Sequence, residues 1–188
     1  MFKRVDANID LPSVESEISA YWDKINAFET SVENRKNDKT FRFYDGPPFP
    51  TGSPHYGNLL AGVIKDIVPR YWTMRGYYVE RRFGWDVHGL PIEMEVQKKL
   101  NLEDPQQIDE YGIDKFNEAC RSQVQTNTEN WEKITRKIGR WVDFENDYKT
   151  MDIEFMESVW WVFKELWSKG LIYQDYKVLP YSWAASTP

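Results

Sequence analysis

The chain has 188 residues and a formal net charge of −6, with a single cysteine, Cys120. This length suits one domain with a sizeable core, and the acidic balance gives no sign of nucleic-acid binding through bulk positive charge. One cysteine excludes an internal disulfide framework and a cysteine-cluster zinc site. No apolar run reaches the length of a transmembrane helix, and residues 1–10 resemble neither a signal peptide nor a mitochondrial presequence, so a cytoplasmic protein is expected.

The first 40 residues predict a helix and a tether. Apolar side chains recur at helical spacing over residues 13–29, with Ser13 as the predicted N-cap. They form one aromatic-rich face: Val14, Ile18, Tyr21, Trp22, Ile25 and Phe28. Residues 31–40 lack this periodicity and predict a linker. We therefore divide the chain into a helical appendage, residues 1–40, and a main domain, residues 41–188.

The main domain begins with a predicted strand, a loop and a helix. Apolar residues at 41, 43 and 44 favour the strand, and the helix that follows the loop runs to about Arg75, with Pro69 inside it and Gly76 as its stop. Residues 77–83 predict a second strand. The three elements form a βαβ unit with a parallel pair of strands, so the sequence predicts an α/β fold.

The rest of the chain predicts three more helices and two short strands. The helices cover residues 91–100, residues 114–138 with Asp114 as N-cap, and the segment between Asp152 and Gly170; residues 101–107 predict a turn, and residues 171–173 and 177–181 predict strands. Cys120 is predicted to be a buried helix residue. The tryptophans are predicted to pack in the core rather than to stack on bases: Trp131, Trp141, Trp160, Trp161 and Trp167.

Two loops follow the two predicted parallel strands. In open α/β sheets ligands bind beyond the carboxyl ends of the strands, so both loops should line one crevice. His55 and Asn58 lie three residues apart on one face of the helix start, where free N–H groups favour an anion. Gly57 between them lets a ligand approach the backbone closely. We favour phosphate binding here over a histidine that only caps the helix.

The second loop contains Trp85, Asp86 and His88. A carboxylate at the mouth of the crevice could hold an ammonium group in a partly dry pocket. The pattern fits equally well a core position for Trp85 and a turn-forming role for Asp86. The residue types alone leave both interpretations open.

Several stretches resemble the class I aminoacyl-tRNA synthetases. Residues 54–58 (PHYGN) resemble the HIGH motif of that class. Residues 45–48 (DGPP) and 84–93 (GWDVHGLPIE) are similar to the isoleucyl-tRNA synthetase family, as are residues 140–144 and 156–161. The resemblance covers nearly the whole chain. It implies the first half of a Rossmann-like, parallel-sheet nucleotide-binding fold that ends where the family inserts its editing domain.

The same resemblance implies a reaction. A longer parent protein would activate L-isoleucine with ATP and Mg²⁺ and transfer it to tRNA(Ile), through regions mostly outside this chain. The implied ATP-binding residues are Gly52, His55, Gly57 and Asn58, of which His55 and Asn58 would be catalytic. The implied amino-acid-binding residues are Gly46, Pro47, Trp85, Asp86 and His88, with Asp86 on the substrate ammonium group. No protein-bound zinc is expected.

Three features depart from the family pattern. The family usually has histidine at the position of Asn58, and a carboxamide donates hydrogen bonds but cannot become cationic, so weaker phosphate contact is expected. Residues 182–187 lack the zinc-binding cysteines of many bacterial relatives, which favours a eukaryotic-like type. Third, the chain stops where the family inserts its editing domain. It is therefore expected to be an N-terminal fragment that is inactive alone. Two alternatives stay open: a truncated or diverged paralogue that acts as a non-catalytic interaction module, and a valine- or leucine-specific relative.

Overall fold

A computed structural model describes residues 8–184, 187 and 188 of the chain. The chain forms two compact units, one up to Met151 and one from Asp152 onward. Within the described ranges, no helix is long and apolar enough to cross a membrane.

The first unit contains six helices and two strands in its described part. In chain order these are α1 (Leu11–Lys24), α2 (Ala27–Glu33), α3 (Tyr56–Met74), β1 (Arg82–Trp85), α4 (Leu90–Leu100), α5 (Pro105–Tyr111), α6 (Ile113–Lys137) and β2 (Asp143–Lys149). The second unit contains α7 (Ile153–Ser168).

The sheet has two strands, β1 and β2, which pair in parallel. Gly84 lies opposite Tyr148, and Trp85 lies opposite Lys149. Gly84 is required at this position because a Cβ there would overlap with the Tyr148 ring. A parallel sheet with helices on the connecting segments confirms the predicted α/β class.

The predicted strand at residues 41–44 is wrong. The pairing is limited to one parallel bridge between Thr40 and Tyr78, in which Phe41 N donates to Tyr78 O at 2.9 Å. The second predicted strand, residues 77–83, begins later, at Arg82. The sequence also missed β2, because polar and acidic residues dominate its sequence DFENDYK and hide the strand pattern.

Several helix ends differ from the prediction. α1 begins after Asp10 rather than Ser13, because Pro12 suits the first turn of a helix. Asn26, with φ of 46°, separates α1 from α2, so the predicted single helix is two and the predicted linker begins within α2. Part of the predicted turn is the helix α5. Asp104 is its N-cap, and Asp104 Oδ1 accepts a hydrogen bond from Gln107 N at 3.0 Å. Asp114 lies in the first turn of α6 and is not its N-cap.

The second unit confirms one prediction and contradicts two. Asp152 is the N-cap of α7, and Gly170 follows its end with φ of 67°. The predicted strands at residues 171–173 and 177–181 are absent; in the described part of this unit, the bridge found is between Ser182 and Thr187. The α7 tryptophans predicted for the core are more than half exposed: Trp160, Trp161 and Trp167.

The core of the first unit is built on the sheet. Its buried members are Phe83, Trp85, Val87, Ile92, Val124, Trp131, Val142 and Phe144, with half-buried Cys120 packed against them. Burial raises the pKa of the Cys120 thiol, and the nearby Glu93 charge adds to the effect. On α1, Trp22 packs edge-on against Trp141, with ring centres 5.2 Å apart.

Candidate active site

The start of α3 holds His55 and Asn58 in a reciprocal cap. His55 Nδ1 accepts from Gly57 N at 3.1 Å, and Asn58 Oδ1 accepts from His55 N at 3.0 Å. A neutral His55 therefore carries its proton on Nε2, and the Asn58 amino group is left to donate. The structure brings together the three residues that the sequence singled out here. Capping and phosphate binding are compatible, because the cap uses the acceptor atoms and leaves the donors.

The loop before α3 is anchored by a buried carboxylate. The Asp45 side chain is fully buried and forms ion pairs with Lys65 Nζ at 2.6 Å and with Arg140 Nη2. Lys65 Nζ also donates to Gly46 O at 2.7 Å, and Tyr148 Oη donates to Asp45 O at 3.3 Å. These contacts fix the backbone at Gly46, one of the predicted amino-acid-binding positions.

The far end of this loop contacts α6. Gly52 has φ of 59°, a conformation that favours glycine, and its carbonyl oxygen accepts from Trp131 Nε1 at 2.9 Å. A second contact joins Asn130 Nδ2 to Ser53 Oγ at 3.4 Å. The backbone at Gly52 is therefore held by the same helix that carries part of the core.

The two predicted loops lie side by side. Asp86 N donates to Pro48 O at 2.9 Å, which joins the second loop to the first directly beside Pro47. Burial raises the pKa of Tyr148, and the charges of Asp45 and Asp86 raise it further, against an opposing effect of Arg82. The carboxylate of Asp45 in the first loop and that of Asp86 in the second loop thus both raise the pKa of the same phenol, Tyr148. The two loops are therefore adjacent, and their lining of one crevice stays a prediction.

The second loop is organised around Thr150, which the sequence did not reveal. Thr150 is 6% exposed, and its Oγ1 lies 2.9 Å from His88 Nδ1 and 3.4 Å from Asp86 Oδ1. Val87 N donates to the same oxygen at 3.0 Å. Asp86 is half-buried and His88 is exposed. Both predicted residues therefore share the Thr150 hydroxyl as a hydrogen-bond partner.

Trp85 lies in a different environment from its neighbours. Its side chain is 1% exposed, its ring centre is 4.5 Å from that of Phe83, and its Nε1 donates to Asp147 Oδ2 at 2.6 Å. The structure thus gives Trp85 the core position that the sequence had left as an alternative. Its assignment to the amino-acid pocket stays a prediction, and a contact there would run through its backbone.

A cavity of about 230 Å³ opens beside the α3 start. Residues from the first loop, α3, α6 and the segment after α6 line it, among them Gly46, Pro48, Asn58, Lys65, Trp131 and Arg140. In the part of the chain that the structure describes, no three His, Cys, Asp or Glu side chains cluster as metal ligands would. The charged side chains among the lining residues are Lys65 and Arg140, both partners of Asp45.

Comparison with known proteins identifies the family. The model of the tRNA synthetases class I (I, L, M and V) matches residues 17–188. The chain belongs to this family. Both loops and the start of α3 lie within the matched residues.

Several relatives of this class I synthetase chain share one name, isoleucine–tRNA ligase. The protein from Anaplasma marginale is 54% identical over 100% of this chain. The cytoplasmic form from Arabidopsis thaliana is 54% identical over 94% of this chain, and the protein from Mycobacterium tuberculosis is 55% identical over 95%. The chain spans 15–17% of the length of these relatives. Because bacterial and plant relatives are equally similar, identity does not separate a eukaryotic-like type from a bacterial one.

A solved structure supports the fold. The synthetase chain aligns with a ternary complex of LeuRS, tRNA and LeuAMS from Agrobacterium radiobacter at a TM-score of 0.61 and 23% identity. The alignment covers 89% of this chain and 19% of the other. This neighbour confirms the class I synthetase catalytic fold, and at 23% identity the fold alone is shown.

The sequence missed the residues that support the site. Lys65 and Arg140 are separated from Asp45 by 20 and 95 positions, so no local pattern links them. Thr150 was missed together with β2. One signal was available: two parallel strands must end at the same edge, and Thr150 follows directly after β2 as Asp86 follows β1.

Proposed function

We propose that the protein containing this chain is an isoleucine–tRNA ligase. In this reaction the isoleucine carboxylate attacks the α-phosphorus of ATP, pyrophosphate leaves, and isoleucyl-adenylate forms. A hydroxyl of tRNA(Ile) then attacks the acyl carbon, and AMP leaves. The observation that carries the proposal is the hydrogen bond from Asp86 N to Pro48 O, which joins the second loop, with Asp86, to the first loop, which leads into the start of α3. The shared name of the relatives supports the same substrate.

The phosphate end of the site is assigned to the start of α3. His55 Nε2–H and the Asn58 amino group would donate to the ATP phosphates and stabilise the charge that develops on the α-phosphate. Gly57 and Gly52 would let the nucleotide lie against the backbone. Mg²⁺ would enter with ATP as part of the substrate.

The amino-acid end of the site is assigned to the two loops. Asp86 would pair with the substrate ammonium group, and Gly46 and Pro47 would shape the pocket wall. His88 would contribute its ring at the surface, while Trp85 would act through its backbone because its side chain lies in the core. The buried ion pairs of Asp45 would keep this arrangement rigid.

The organisation of the whole protein is part of the proposal. Residues 1–40 form the appendage, and residues 41–188 form the first half of the catalytic domain of a cytoplasmic enzyme. The rest of the nucleotide fold and the tRNA-binding regions would belong to the longer parent. The 188-residue chain alone would be inactive, because the residues proposed here cover only half of the site.

Amino-acid-dependent ATP–pyrophosphate exchange tests this function. The full-length protein should exchange pyrophosphate with isoleucine and much more slowly with valine or leucine, whereas the 188-residue chain should show no exchange. A preference for valine or leucine would contradict the substrate. A complete absence of exchange with every amino acid would favour a non-catalytic paralogue instead.

A further inference from the structure

The strand pairing places Thr150 next to the second loop. Its backbone N donates to Trp85 O, at the end of β1, at 3.0 Å. The side chain is buried, and the three groups that its hydroxyl contacts all belong to residues 86–88. These residues include both polar side chains of the proposed amino-acid pocket.

Counting protons assigns the direction of each hydrogen bond. A hydroxyl has one proton and two lone pairs. Val87 N–H uses one lone pair, and the Asp86 carboxylate can only accept, so that contact requires the hydroxyl proton. The second lone pair then accepts from His88 Nδ1–H at 2.9 Å. The opposite assignment, with the proton given to His88, would leave the hydroxyl oxygen against a carboxylate with no hydrogen between them.

We infer that Thr150 is a positioning residue of the amino-acid site, which holds His88 as the Nδ1–H tautomer and anchors Oδ1 of Asp86. This inference rests on the proposed function for its meaning, though not for its geometry. Neutral His88 then presents Nε2 as an acceptor. Asp86 keeps its second oxygen for the ammonium group of the amino acid, and neither side chain can turn without breaking its hydrogen bond to the buried Thr150.

If the role of Thr150 were purely structural, its substitutions would have different effects. If Thr150 only filled space, then Thr150→Val, which keeps the branched shape, would leave the loop chemistry intact. Thr150→Ser keeps the hydroxyl and loses only a methyl group. Thr128→Val is a matched control, because Thr128 is similarly buried and its hydroxyl bonds to Gln125 O, at 3.0 Å, within α6.

The tautomer is measured by NMR of the ¹⁵N-histidine-labelled 188-residue chain. The chain has two histidines, and His55 is an internal reference because its Nδ1 accepts from Gly57 N. Above the pH of ring titration, the unprotonated nitrogen should be Nε2 in His88 and Nδ1 in His55. In Thr150→Val the His88 pattern should move towards Nε2–H, which free imidazole prefers, whereas Thr150→Ser and Thr128→Val should keep the wild-type pattern. An Nε2–H tautomer of His88 in the wild type would overturn the inference.

The positioning role is measured in the full-length protein by pyrophosphate exchange. Thr150→Val should raise the KM for isoleucine about tenfold, as expected for the loss of one buried hydrogen bond, with the KM for ATP unchanged. Thr150→Ser should restore the wild-type KM, and Thr128→Val should match the wild type. An equal rise in both KM values, or no rescue by serine, would overturn the inference. A wild-type protein without isoleucine-dependent exchange would instead reject the proposed function, and the tautomer result would stand separately.

Discussion

Arg140 and Asp45 form a buried ion pair that connects the end of α6 to the first loop of the site. The Arg140 side chain is 6% exposed, and the Asp45 side chain is fully buried. Lys65 is a second partner of the same carboxylate. Breaking a buried pair by removing one partner leaves an uncompensated charge, and this costs more than the pair itself contributes.

Arg140→Met should therefore destabilise the protein strongly. We expect a loss of about 3–5 kcal/mol in the free energy of unfolding, because the Asp45 carboxylate would keep only Lys65 as a partner. Urea denaturation followed by tryptophan fluorescence measures this. Glu132→Gln is the control: it removes an exposed ion pair with Arg136 and should cost under about 1 kcal/mol. Equal effects of the two substitutions would contradict the anchoring role.

Arg81→Met should have the opposite outcome, although Arg81 is also buried. Arg81 Nη2 donates to Pro69 O at 3.2 Å and to Thr73 Oγ1, but its Nε and Nη1 have no hydrogen-bond partner in the described structure. Burial lowers the pKa of Arg81 from its ordinary value to about 10, with Asp66 raising it and Arg70 lowering it less strongly. The charge is therefore better solvated in the unfolded chain, and methionine should leave the free energy of unfolding unchanged or raise it.

The pKa of Arg81 also determines how its contribution to the free energy of unfolding changes with pH. Because the folded-state pKa lies below the unfolded value, the unfolded chain binds more protons between about pH 10 and the ordinary pKa of arginine. The Arg81 contribution to stability therefore increases with pH across that window, and at neutral pH the charge is a cost. A large loss of stability in Arg81→Met at neutral pH would show that the cation–π contact of the Arg81 guanidinium with the Phe28 ring outweighs this cost.

The sequence singled out the residues proposed to bind the ligands but missed those that support them. His55, Gly57, Asn58 and Asp86 were found because each lies in a local pattern, next to a glycine, a turn or a helix start. Thr150 and Arg140 act only through residues that are distant in the chain, and no spacing reveals such contacts. The strand prediction at residues 41–44 failed for a related reason: a strand forms fully only where a neighbouring strand pairs with it along its length, and here one bridge forms.

Gly84→Ala tests the close approach of β1 and β2. A methyl group at Gly84 would overlap with the Tyr148 ring, so either the ring or the strand must move. We expect a destabilisation of about 1–3 kcal/mol, as for overpacking elsewhere, measured as a shift of the urea midpoint. Gly46→Ala is the matched control for stability, because no atom lies within 4 Å of a Cβ at that position. An unchanged midpoint for Gly84→Ala would mean that the Tyr148 ring moves away at no cost.

Asn58→His tests the phosphate end of the site in the full-length protein. The imidazole can become cationic, so it should bind the developing phosphate charge more strongly than the carboxamide does. We expect a higher kcat in pyrophosphate exchange, with the KM for isoleucine unchanged. Asn58→Ala removes the donor and should lower kcat by about 10²-fold, the usual effect of losing one hydrogen-bond donor to a transition-state oxyanion. Asn58 also accepts from His55 N, so circular dichroism of each variant should confirm that α3 is retained. If Asn58→His is slower than the wild type while α3 stays intact, the reciprocal cap with His55 contributes more than the charge, and the carboxamide is the better residue for this helix start.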